Sequence, residues 1–241
     1  MSKVERMSIV DVSLGRNLAS LELFDALSPA ALDEVRALAR FKHLTRNTRI
    51  FNQGDGSVRA HALIEGCVRI SQSGSDGAQV VVRFITRGEM FGTVALFTDG
   101  RYPADAETLT ECTEVSWSEA DLAQLMDRHH RIALNFIRII GKRLQDAQNR
   151  VRELATQRVE RRIAHALLRL ARRSGHRNSE GITIEFPLRR KDIADICGTT
   201  LHSASRILTP WEKAGWLVTR DQRLTLCRPD EIEQIAENGE T

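Results

Sequence analysis

Residues 198–217 read GTTLHSASRILTPWEKAGWL. A glycine opens the stretch, two threonines follow, and Ala204, Ile207, Leu208 and Trp211 then recur at the spacing of one helix face. His202, Ser205, Arg206 and Thr209 fall on the opposite face at i, i+3, i+4 and i+7, and no acid appears before Glu212. Just upstream, residues 189–197 predict a short helix with Ile193 and Ile196 inward. Gly198 supplies a turn, and Thr199 or Thr200 caps the second helix. Just downstream, GWLVTRDQRLTLCRP alternates on both sides of Asp221-Gln222, which predicts a hairpin. Helix, glycine turn, helix and hairpin make a winged helix-turn-helix.

The outer face of the second helix suits base edges. An arginine bonds guanine O6 and N7 in two places, serine donates or accepts, and threonine or leucine methyls meet thymine methyls. Thr199, Thr200, Leu201, His202, Ser203, Ser205 and Arg206 are the candidate DNA-reading residues, with Arg189, Arg190 and Lys191 as phosphate contacts. Charge supports this. Net charge is only +3, but between Arg158 and Arg228 there are 15 Lys/Arg against 7 Asp/Glu. The basic excess sits where a nucleic-acid footprint is expected. Pro210 predicts a kink after Leu208, with a last turn over 211–214 closing on Gly215.

Working outward, residues 18–40 predict a helical region with Ser28 as cap and Pro29 in the first turn. From Phe41 to Val115 the pattern changes to short alternating runs (IFNQGD, HALIEGCVRISQSG, AQVVVRFITRGE, CTEVSWSEA) punctuated by glycine turns, which predicts a β-roll. A long helix follows from about residue 129 to 155. On it Ile140, Leu144, Ala147, Val151 and Leu154 step by 4, 3, 4 and 3, a coiled-coil seam that predicts a homodimer. A second amphipathic helix begins at Arg158, SGHRNSEG reads as a loop, and ITIEFPL reads as a strand. The expected fold class is α+β, in three regions: a sensor β-roll over 1–127, a dimerisation helix over 128–157 and a DNA-binding domain over 158–241.

Other classes find less support. No apolar run is long enough to span a bilayer, and MSKVERMSIVDVSLGR lacks the apolar core of a signal peptide, so a cytoplasmic protein without a membrane partner is expected. Cys67, Cys112, Cys197 and Cys227 are scattered, without a C-x-x-C pair, and predict neither a zinc site nor a disulfide framework. A cupin-like metalloenzyme is the rival from another class. Such a barrel needs clustered histidine and carboxylate ligands, and no H-x-H run occurs in 41–115.

The chain resembles the Crp/Fnr family of bacterial transcription regulators over nearly its whole length. FNQGD (51–55), GEMFGTVALF (88–97) and GTTLHSASRIL (198–208) carry the resemblance, which implies a cyclic-nucleotide-binding-like sensor domain, a homodimer, a palindromic duplex operator and RNA polymerase as a partner. Ser205 and Arg206 keep the end of the family's Glu-x-x-Ser-Arg reading pattern for TTG-like half-sites, while His202 stands in place of the glutamate. The resemblance puts the effector pocket at Gly88, Glu89, Thr93, Arg101, Tyr102 and Pro103. Thr93 replaces the phosphate-binding glutamate and Pro103-Ala104 the arginine-serine pair, so cyclic AMP is not expected. The cysteine spacings do not match an iron-sulfur cluster. GTTLHSASRILTPWE and GRYPADAET are similar to the nitric-oxide-responsive NnrR/Dnr branch, which implies haem as a cofactor and nitric oxide or oxygen as the gas. His43, His61 and His130 are the iron-ligand candidates, with His129 and Cys67 behind them. An organic effector, or none, remains the alternative.

Overall fold

The computed structural model describes residues 18–75, 77 and 79–237. The chain divides into two compact units: residues up to Val68 with Ile85–Gln145, and Arg69–Phe84 with the remainder from Asp146.

The first unit is a β-roll closed by helices. β1 (Arg40–Leu44), β3 (Arg59–Glu65), β6 (Met90–Phe91) and β8 (Cys112–Ser118) form one antiparallel sheet in the order β1-β8-β3-β6, and β2 (Arg49–Phe51) pairs with β7 (Asp105–Thr108). β3 and β8 are buried on both faces, which explains why their alternation is weak in the sequence. Trp117 is fully buried, its indole N–H donates to the carbonyl of Val35 at 2.9 Å, and Phe24 meets it edge-on at 5.0 Å.

The expected helical region over 18–40 is broken. A 3-10 turn spans Glu22–Phe24, Ala26 takes a φ of 59°, and α1 covers only Pro29–Ala37. Pro29 is the cause: the residue before a proline is pushed out of the α region, so no helix passes through Ser28. Ser28 is extended and caps α1 as the sequence predicts, accepting from the Ala31 amide. α2 (Glu119–Arg128) starts at a capping box between Ser118 and Asp121. α3 (His130–Thr156) then runs 27 residues.

The second unit holds the β4 (Val68–Ser73) and β5 (Gln79–Ile85) hairpin, the end of α3, α4 (Val159–Ser174), a sheet in the order β11 (Leu217–Arg220), β12 (Arg223–Leu226), β10 (Gly181–Ile184), β9 (Gly175–Asn178), and the helices α5 (Arg190–Ile196), α6 (Leu201–Lys213) and α7 (Pro229–Glu237). SGHRNSEG is not a loop. β9 (Gly175–Asn178) pairs with β10 (Gly181–Ile184) because the Asn178 side chain accepts from the amides of Glu180 and Gly181, which tightens the turn between them. α5 is Arg190–Ile196 and α6 is Leu201–Lys213. β11 (Leu217–Arg220) and β12 (Arg223–Leu226) form the wing around Asp221 and Gln222, whose φ values of 49° and 63° define the tight hairpin turn. α7 (Pro229–Glu237) closes on α4 through Arg161, which donates to the carbonyl of Ala236.

The recognition helix runs through Pro210 as one element to Lys213. Trp211 is buried and its carbonyl accepts from the Trp216 amide, so packing and capping secure the last turn beyond the proline. Gly215 closes the helix at a φ of 70°, as expected of a glycine C-cap.

Candidate nucleic-acid interface and sensor core

Three local devices position the recognition helix. Gly198 makes the turn at a φ of 59°. Thr200, extended, accepts from the Ser203 amide at 3.1 Å and is the N-cap, which assigns the capping role that Thr199 shared in the sequence reading. Ala204, Leu208 and Trp211 are buried beneath the helix. The opposite face is open. Leu201, His202 and Arg206 are exposed, and the side chains of His202 and Arg206 make no hydrogen bond or ion pair with another described residue. Ser205 and Thr199 are half-buried, and Ser203 turns toward the cap, where its hydroxyl accepts from Thr200.

The three phosphate candidates differ. Arg189 is exposed and pairs loosely with Asp192 at 3.6 Å, and exposed Lys191 pairs with Asp195. Arg190 is half-buried and braces the two helices, donating to Thr209 Oγ1 at 2.9 Å and to Glu212 at 2.5 Å. Arg189 and Lys191 keep a cation toward solvent, whereas Arg190 is a structural brace first.

In the first unit the sequence-derived pocket residues come together only in part. Thr93 and Tyr102 are buried around Gly92, and a Cβ added at Gly92 would lie 2.8 Å from His61 and 3.1 Å from Tyr102. Gly88 makes the turn before β6 at a φ of 86°. The Glu89 carboxylate is drawn into that same turn by the amide and hydroxyl of Thr86. Arg101 is exposed and donates to the carbonyl of Gly54, and Pro103 is exposed.

A polar cluster that sequence reasoning missed fills the space instead. His61 is buried, with Nδ1 2.6 Å from Glu114 Oε1 and Nε2 3.0 Å from the Tyr102 hydroxyl. The Tyr102 hydroxyl also accepts from the Arg59 amide, and its ring stacks on Phe51 at 3.7 Å. Arg143 of α3 reaches over the cassette, donating to Thr93 Oγ1 at 3.1 Å and to the carbonyl of Met90. Partners 53 and 41 residues apart leave no periodic signal. The one visible sign was a glutamate inside the apolar run CTEVSW.

Haem does not fit this donor set. His61 spends both ring nitrogens inside the cluster. His43 is exposed on β1 with Nδ1 bonded to Thr113, His129 bonds Glu34, and His130 is exposed at the start of α3. Cys67 is buried, and desolvation pushes its thiol well above the ordinary range, away from thiolate character. Among the described residues no three histidine, cysteine or carboxylate groups gather as metal ligands. The run HALIE does place a glutamate four residues after His61, but Glu65 is exposed at the strand end while His61 turns inward to Glu114.

The seam residues Ile140, Leu144, Ala147, Val151 and Leu154 are all exposed along α3, joined by Ile137, with Val151 at 67% and Ile137 at 66%. Leu154 also packs on the recognition turn: a Cβ at Gly198 would come within 2.7 Å of its methyl. Among the described residues no helix is long and apolar enough to cross a membrane.

A β-roll, a long helix with an uncovered apolar stripe and a winged helix-turn-helix with an open reading face define a DNA-binding regulator. Comparison with known proteins agrees. Residues 41–129 match the cyclic nucleotide-binding domain family and 161–235 the Crp-like helix-turn-helix domain family. The chain is 30% identical to the nitrogen fixation regulation protein FixK of Azorhizobium caulinodans, across 80% of this chain and 77% of that one. It is 24% identical to a CRP-like cAMP-activated global transcriptional regulator of Mycobacterium tuberculosis, across 83% of this chain and 89% of that one. The structure of FixK2 from Bradyrhizobium japonicum superposes with a TM-score of 0.71 at 20% identity, covering 82% of this chain and 96% of that one. The protein belongs to the Crp/Fnr family of transcription regulators; these relatives are regulators of transcription, not enzymes.

Proposed function

We propose that the protein acts as a homodimer on a palindromic operator with TTG-like half-sites about one helical turn apart, reading bases with Arg206, Ser205 and His202. The observation that carries this is the open face of α6, where charged and polar side chains stand unengaged over a helix held rigidly from below. Arg189 and Lys191 add sequence-independent phosphate contacts, and α3 supplies the dimer seam. RNA polymerase is the partner that the family resemblance implies.

For the sensor, an organic effector or no ligand is better supported than a haem-bound gas, because His61, His43 and His129 are bonded within the chain and His130 lies exposed at the start of α3. This weighs against placing the chain in the nitric-oxide branch. Cyclic AMP is not expected to bind. Thr93 offers a hydroxyl already engaged by Arg143 in place of a carboxylate, and Tyr102 and His61 crowd Gly92. Selection from random duplexes should return an inverted repeat, and sedimentation should give a dimer. An unstructured set of selected sequences would sink the DNA-reading assignment, and micromolar cyclic AMP binding by calorimetry would overturn the reading of Thr93.

A further inference from the structure

The turn of the helix-turn-helix is held from outside by two arginines. The last carbonyls of a helix have no partner within it and carry its negative end. Here Arg150, on α3, donates through Nη2 to the carbonyl of Ile196 at 2.5 Å. Arg162, on α4, donates through Nε to Cys197 at 2.9 Å and through Nη2 to Gly198 at 3.3 Å. Three consecutive carbonyls, 196 to 198, are thereby satisfied. Leu154, one turn along from Arg150, sits against Gly198.

Arg150 does more than cap. Its other terminal nitrogen, Nη1, donates to the carbonyl of Val82 in β5 at 2.8 Å. One guanidinium thus joins the β4–β5 hairpin to the end of α5. Two further contacts connect the same hairpin to the same domain. Arg69 of β4 lies 3.5 Å from Asp192, the capping acid at the start of α5, and Phe84 of β5 packs on Phe186 at 4.7 Å. Both ends of α5 are therefore referenced to the hairpin, the C-terminal end through the fork of Arg150.

We infer that Arg150 is the positioning residue that fixes the recognition turn to the β4–β5 hairpin, so that the hairpin and the DNA-reading helix respond as one element. The fork matters chemically. A planar guanidinium holds two carbonyls in set directions at once, whereas an ammonium on a flexible stem holds one at a time. Arg150→Lys keeps the charge and most of the buried stem while separating the two links. Arg162→Lys weakens the cap on 197 and 198 without touching the hairpin.

The test is hydrogen exchange on the full chain, free and bound to a duplex chosen by binding-site selection. In the parent protein, DNA should slow exchange in β5 as well as at 196–200, although β5 is remote from the reading face of α6 in sequence and carries none of its side chains. In Arg150→Lys the β5 response should vanish, the melting temperature should stay within a few degrees, and DNA affinity should fall about tenfold, as for one lost charge-assisted bond. In Arg162→Lys affinity should fall while the β5 response persists. A β5 response that survives Arg150→Lys, or that Arg162→Lys abolishes equally, overturns the inference. If Arg150→Lys does not fold, the parent protein decides: unchanged β5 exchange on DNA binding overturns it. Failure of the parent to bind any selected duplex would instead bring down the DNA-reading assignment on which this rests.

Discussion

The β-roll and the recognition helix treat polar side chains in opposite ways. In the roll, His61, Glu114, Tyr102, Thr93 and Arg143 are turned inward and bonded to one another or to main chain. On α6, His202 and Arg206 stand in solvent with no hydrogen-bond or ion-pair partner among the described residues. A buried polar group is costly unless its bonds are made within the protein. An exposed one loses nothing while it waits, and its bonding capacity remains available to another molecule. The contrast separates side chains that hold a fold from side chains left open to a partner, the role proposed for His202 and Arg206. Proximity to a family motif does not make that distinction by itself: Thr93 and Arg206 both lie in such motifs.

The largest effect is expected where the uncovered stripe of α3 is broken. Val151→Glu places a carboxylate in the centre of the apolar seam. Unpaired there, it costs several kcal/mol of association. Sedimentation should show a monomer, and operator binding should be lost with it. A dimer of unchanged strength would move the interface elsewhere.

Next comes the inward network. Tyr102→Phe removes the hydroxyl that joins His61 to the Arg59 amide and leaves both buried groups short of a partner. A loss of about 1–3 kcal/mol in unfolding free energy is expected. Denaturant titration measures it, and sequence preference on DNA should not change. Arg206→Ala should do the reverse. It should leave the unfolding curve in place, weaken specific binding by roughly 1–3 kcal/mol and relax one base of each half-site in a repeated selection. If both variants altered stability and DNA preference alike, the division between holding and reading would fail. Arg190→Ala sharpens the same line. Because Arg190 braces Thr209 and Glu212, it should cost stability as well as affinity, whereas Arg189→Ala should mainly flatten the salt dependence.

The same contrast explains what could be read from the sequence. The winged helix-turn-helix was legible because its signals are local: a glycine turn, a capping threonine, a 3.6-residue stripe, an alternating hairpin around Asp221-Gln222. The α3 stripe was legible for the same reason. The sensor core was not. Glu114 and His61 meet across β8 and β3, and Tyr102 arrives from a loop, so no window of sequence contains the cluster. The hairpin contacts of Arg150 are equally long-range, and α3 showed only its apolar face to a periodicity argument. Ser28-Pro29 was legible as a cap and first turn, whereas the 3-10 turn at Glu22–Phe24 before it carries no local signal of its own.

A smaller effect tests whether a half-buried group inside the second unit belongs to the holding class. His165 lies on α4, and desolvation is the main cause that lowers its pKa below the ordinary imidazole value. Arg169, Arg161 and Arg172 add to that direction, and Glu153 opposes it. The folded state therefore takes up the proton less readily than the unfolded chain, which titrates near 6.5. Below that pH the unfolded chain binds more protons, so acidification favours unfolding. The contribution of neutral His165 is present in full above about pH 6.5 and is lost as pH falls through the lowered folded value. Because the ring is only half-buried, solvent screens the effect, and it should be smaller than that of Tyr102→Phe. Denaturant midpoints at mildly alkaline and mildly acidic pH should drop further in the parent than in His165→Gln, since every other titrating group is common to both. An equal drop would place His165 with the solvent-facing side chains, and the inward-facing class would then stop short of the α4 surface.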